Sequence, residues 1–173
     1  PRSARQSRLR RPNSRAGNEA LPFAIEARSV PLAAVWLGGL GVVPFLVSAA
    51  IILVGPPERA GMASDALAAY GAIILSFLGG IQWGFATGGV NAVKENGALL
   101  GGLSFSVLPS LVAWAALLAP RETGLLVLAG TFLLVLLVDI RAARSNQAPA
   151  WYPSLRWPPT LLAVASLLAA ALA

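Results

Sequence analysis

The side chains in this 173-residue chain whose type and position suggest chemistry are few: Gln82, Asp139, and the cluster Trp151, Tyr152, Arg156 and Trp157. Gln82 interrupts a long charge-free run, and its amide offers two donors and one acceptor that hydrocarbon does not satisfy. It must face another helix, a buried water or a ligand such as a quinone headgroup. Asp139 ends a second charge-free run beside Arg141, Arg144 and Arg156, which points to a local ion pair rather than a proton site. The Trp151–Trp157 cluster has the composition of a membrane-edge belt, where aromatic rings sit at headgroup depth and guanidinium groups meet phosphate. The same residue types are what a partner-docking surface favours.

Absences narrow the chemistry further. Without cysteine there is no disulfide, iron–sulfur cluster or sulfur nucleophile, and without histidine there is no imidazole ligand, triad or proton relay. The seven acidic residues, Glu19, Glu26, Glu58, Asp65, Glu95, Glu122 and Asp139, fall in the N-terminal tail or at expected helix ends. Pumps and ion-coupled carriers are usually marked by ionisable groups at membrane depth, and that mark is missing here. No catalytic, cofactor-binding or metal-binding residue is expected, and no cofactor.

Five charge-free stretches must position these groups: Ser29 to Pro57, Ala66 to Val93, Asn96 to Pro120, Thr123 to Val138 and Trp157 to Ala173. At about 1.5 Å of helix rise per residue, the first three exceed a hydrocarbon core of about 30 Å and the last two approach it. Composition agrees, with 57% hydrophobic and 12% charged residues and a mean hydropathy of +0.72. The expected fold is all-α, a polytopic membrane protein with a basic N-terminal arm (1–28) and a five-helix transmembrane bundle (29–173). Its spans are placed at about 31–54, 67–90, 97–119, 123–138 and 158–173.

Within the first span, Pro44 follows Gly38, Gly39 and Gly41, so a kink is expected near mid-membrane, serving either helix packing or a broken-helix transport site. Pro109 in the third span admits the same two readings. In the second span Ala68, Ala72, Ser76, Gly80, Gly84 and Gly88 recur every four residues, a small-residue stripe containing tandem G-x-x-x-G. Gly102, Ser106 and Ser110 answer it in the third span. Packing of the two helices against each other is expected ahead of homodimerisation, with Gln82 turned away from the stripe.

The arm holds seven arginines against two glutamates. It is either a polybasic segment on anionic headgroups or a solvated tail that fixes topology. A mitochondrial transit peptide is a third reading, disfavoured because arginine dominates throughout and Lys94 is the only lysine. No signal-peptide pattern is seen before the first span. Five spans place eleven basic residues on one side and only Arg59 and Arg121 on the other, which predicts a cytoplasmic N-terminus and an opposite C-terminus.

The run from Tyr70 to Gly84, containing Ser76-Phe77-Leu78-Gly79-Gly80-Ile81-Gln82-Trp83-Gly84, resembles the domain-of-unknown-function membrane family that includes transmembrane protein 69, and so does Trp151 to Pro158. The resemblance covers about Pro31 to Ala173 and excludes the arm. It implies a five-helix membrane protein of bacteria or mitochondria with no established activity, and a basic or histidine residue where this chain has Gln82. The expected function is a non-enzymatic accessory or assembly subunit of a larger inner-membrane complex, respiratory or photosynthetic. A small carrier or a lipid- or quinone-handling protein is the alternative, and a membrane enzyme the third reading. Expected partners are anionic lipids at the arm and other integral membrane subunits, with no nucleic acid. The expected location is the bacterial inner membrane with a periplasmic C-terminus, or alternatively the mitochondrial inner membrane.

Overall fold

A computed structural model describes residues 32–88, 96–145 and 151–173. The arm, Pro31, Lys94 and Glu95 lie outside the described residues. The described chain is helical: α1 (Leu32–Leu40), α2 (Val43–Val54), α3 (Pro57–Gly88), α4 (Asn96–Leu118), α5 (Arg121–Arg144) and α6 (Tyr152–Leu172). With α1 and α2 counted as one broken span, five helices are long and apolar enough to cross a membrane.

Prolines and glycines set the helix limits. Pro44 falls in the first turn of α2, where its missing N–H has no intrahelical partner to lose. The sharp change therefore comes before it: the Gly41 and Val42 amides donate to Leu37 and Gly39 at 3.0 and 3.1 Å, and the first span breaks into two helices rather than bending at Pro44. The Tyr70 hydroxyl, from α3, donates to the Gly41 carbonyl at 3.0 Å, so one backbone group at the break is satisfied by a neighbour. Pro109, by contrast, is accommodated inside an uninterrupted α4.

Three helices run past their expected limits. The structure begins α3 ten residues before the expected span, carries α5 six residues beyond Val138, and begins α6 at Tyr152 rather than Pro158. The physical reason is that hydrophobicity marks the hydrocarbon thickness, whereas the helix continues as long as its backbone bonds are made. At about 48 Å the 32-residue α3 is longer than any bilayer core requires. Asp139 accordingly lies within α5, not at its end, and the Trp151–Pro159 segment opens α6 instead of forming a loop.

Helix α3 is the centre of the bundle, touching α2, α4, α5 and α6, while α1 leans on α6. Phe45, Leu67, Leu75, Leu78, Leu125, Leu128, Phe132 and Leu167 fill the core. Phe45 of α2 meets the edges of Tyr70 and Phe132 at centroid distances of 5.1 and 5.7 Å, joining α2, α3 and α5.

The α3–α4 contact does not use the expected stripe. Ser76, Gly80 and Gly84 are exposed, and a Cβ added at Gly80 or Gly84 would meet nothing within 4 Å. The tight contact is at Gly79, where a Cβ would collide with the Ser106 carbonyl oxygen and lie 3.6 Å from Ser110 Oγ. At Gly102 it would stand 3.1 Å from the Ala86 side chain. A strict spacing of four drifts by about 40° per step around a helix of 3.6 residues per turn, so a stripe that starts inward at Ala72 has turned outward by Gly80. An inward face alternates three and four, as Leu75, Gly79, Gln82 and Ala86 do, with Gly79 and Ala86 meeting α4 and Gln82 reaching α5.

Candidate functional site

Among the described residues, the buried ion pair lies where α3 and α5 end and α6 begins. Gln82 lies six residues before the end of α3 and Asp139 five before the end of α5, so both sit roughly 8–9 Å inside the bundle end. Arg156 lies one turn into α6. Gln82 Nε2 donates to Asp139 Oδ1 at 2.5 Å, and Arg156 Nε donates to Asp139 Oδ2 at 3.2 Å. The Asp139 side chain is 1% exposed and that of Arg156 13%. One carboxylate thus binds a neutral donor from α3 and a cationic donor from α6, and ties three helices at one depth.

Aromatic and apolar groups close this clamp from water. Tyr152, also buried, stacks edge-on against Phe85 at 5.1 Å and against Trp151 at 6.2 Å. Ala142 packs in the same cluster, with Ile81 and Phe85 at its margin. Arg156 Nη2 and Thr160 Oγ1, one turn apart on α6, are buried without a hydrogen-bond partner among the described residues. The pair is therefore short of full satisfaction on its α6 side. In an apolar interior, an ion pair is retained only when both members are present, because either charge alone faces the full desolvation penalty. Positioning and helix registration are what this arrangement can do chemically. Two open clefts lie elsewhere: about 350 Å³ beside Asp65 and Arg121, and about 270 Å³ between α1 and α6 at Gly38, Gly39, Leu155 and Pro158.

The structure brings Gln82 and Arg156 together through Asp139 and turns Tyr152 inward beside them, whereas Trp157 is exposed and Trp151 half-buried. An edge belt or docking surface made of all four residues Trp151, Tyr152, Arg156 and Trp157 is thus not formed. Once α6 is helical from Tyr152, its 100° step per residue sends Tyr152 and Arg156, four apart, to one face and Trp157 to the next. Sequence reasoning missed the Gln82–Asp139 bond. The available signal was depth, since the second and fourth spans run parallel and both residues stand a similar distance from their C-terminal ends.

Among the described residues no group of three or more metal-ligating side chains comes together. Fold and site together define a five-span α-helical membrane protein whose buried polar groups form an interhelical clamp. Residues 30–172 match the family described as a protein of unknown function, DUF3429, and the chain belongs to that family. It is also similar to Transmembrane protein 69 of Xenopus tropicalis, 35% identical over 153 residues that cover 86% of this chain and 58% of the frog protein. The chain thus spans less than two thirds of that relative's length. No solved structure matches it.

Proposed function

We propose that this protein is a non-enzymatic accessory or assembly subunit of a larger inner-membrane complex, its bundle serving as a surface for other membrane helices. The observation that carries this reading is the outward face of α3. Gly80 and Gly84 leave open space beside the backbone, flanked by the exposed Phe77 and Trp83. Ser76 and Thr87 on this part of α3 return their hydroxyls to the Ala72 and Trp83 carbonyls, so no polar group there needs water. In lipid, a G-x-x-x-G surface admits a second helix at close range. Meanwhile the buried Asp139 carboxylate is held by Arg156 and Gln82 and closed off from water, which favours a scaffold over a catalyst or carrier. Anionic lipids are proposed to meet the basic arm, and the basic asymmetry favours a cytoplasmic N-terminus in a bacterial inner membrane, with a mitochondrial inner membrane as the alternative.

The test is migration of the chain from native membranes in mild detergent. The expected result is a complex much larger than its own 17.8 kDa, lost in Gly84→Leu while the variant's own fold persists. Migration alone in several mild detergents, together with solute movement by the purified protein in liposomes, would replace this reading with the carrier. For orientation, a cysteine at Ser7 should be labelled from the cytoplasmic side and one at Ala60 from the other.

A further inference from the structure

At the bundle end opposite the clamp, Arg121 opens α5 and Asp65 stands on α3 just before its charge-free segment begins at Ala66. Both therefore lie at the level where hydrocarbon gives way to headgroups. Arg121 Nε and Nη2 donate to the same oxygen, Asp65 Oδ1, at 3.2 and 3.1 Å. That leaves Asp65 Oδ2 and Arg121 Nη1 without protein partners among the described residues. Both side chains are more than half exposed. Beside them opens the cleft of about 350 Å³, walled by Ala68, Ala116, Leu117, Ala119 and Gly124. At Gly124 a Cβ would collide with the Ala116 carbonyl oxygen, so α4 and α5 approach closely along one wall of the cleft.

We infer that this cleft binds a zwitterionic, amine-bearing phospholipid of the phosphatidylethanolamine type, with its phosphate on Arg121 and its ammonium on Asp65. This inference is independent of the subunit reading. The pair offers one charge of each sign at headgroup depth, spaced as neighbours, with an unused hydrogen-bonding position on each. A guanidinium recognises phosphate oxygens through directed N–H donors, and a carboxylate accepts from a primary ammonium. Choline has the same charge but no N–H to donate, so the carboxylate distinguishes the two amines. A glycerol headgroup has no cation and leaves Asp65 facing an uncompensated phosphate. The apolar wall of Ala68, Ala116 and Leu117 suits the glycerol backbone and upper acyl chain. An exposed ion pair is weakly held and screened, so it yields readily to such a headgroup.

The experiment is native mass spectrometry of the full chain in detergent micelles, titrated separately with dioleoyl phosphatidylethanolamine, phosphatidylcholine, phosphatidylglycerol and inorganic phosphate. The ethanolamine lipid should be retained about tenfold better than the choline lipid, the scale of one charge-assisted hydrogen bond, with the glycerol lipid weakest. Asp65→Asn should bring ethanolamine and choline lipids to parity, and Arg121→Gln should remove retention of both. Neither substitution touches the core, so thermal unfolding in lipid-free detergent at high salt should match that of the unaltered protein. Equal retention of ethanolamine and choline lipids by the unaltered protein overturns the inference. So does a preference for the glycerol lipid, binding of inorganic phosphate as strong as that of the lipid, or an unchanged pattern in both variants.

Discussion

Asp139–Arg156 and Asp65–Arg121 are the same chemical pair at nearly the same separation, 3.2 and 3.1 Å, at opposite ends of one bundle. Their surroundings differ: the first carboxylate is 1% exposed and the second 70%. Coulomb attraction is larger where water is excluded, but so is the cost of stripping water from each ion. The buried pair is consequently an all-or-none element, strong against removal of one partner and replaceable as a unit. Its exposed counterpart holds little structure together and is free to exchange partners. Contact distance alone would have ranked the two pairs as equals.

The sharpest way to break this contrast is to delete one buried partner. Asp139→Ala or Arg156→Ala should each lower stability by about 3–5 kcal/mol, measured by reversible unfolding in mixed micelles, because the remaining charge is stranded. Replacing both together with leucine and methionine should restore most of that loss. If the single variants lose no more than the double, the clamp is not an ion pair in effect.

Steric packing should come next. Gly79→Ala places a methyl group against the Ser106 carbonyl and should cost about 1–3 kcal/mol, whereas Gly84→Ala, facing open space, should cost nothing measurable in the isolated chain. Equal losses would restore the expected four-residue stripe as the intrachain interface. Gln82→Leu removes the donor to Asp139 Oδ1 but keeps Arg156, so a loss of about 1–3 kcal/mol is expected, below that of deleting the charge itself. Arg121→Gln should be the mildest at about 0–1 kcal/mol, and the small effect should vanish in high salt. A loss at Arg121 as large as at Arg156 would show that burial is not what separates the two pairs.

Much of the fold was legible in the chain. Charge-free runs reveal a five-span membrane domain because an unpartnered charge is costly in hydrocarbon, and this constraint acts on each segment separately. The run of residues around Gln82 and the Trp151–Pro158 segment also pointed to the family. Gln82's need for a partner was likewise readable, since an unmet amide is costly in any apolar site.

Pairings between segments were not legible in the same way. That α5 continues past Val138 and buries Asp139 follows from the packing of α3 and α6 around it, which supplies the donors that permit a charge there. That Gly79 meets α4 while Gly80 and Gly84 face outward depends on the helix rotation chosen by the whole core, through Leu75, Leu78 and Phe132. One residue separates Gly79 from Gly80 in sequence, but about 100° separates them around the helix. Sequence alone determined which segments enter the membrane, because transfer into hydrocarbon depends on each residue's own chemistry. Tertiary structure alone decided which faces meet and which ion pair is buried, because those outcomes depend on the joint rotation and depth of several helices at once.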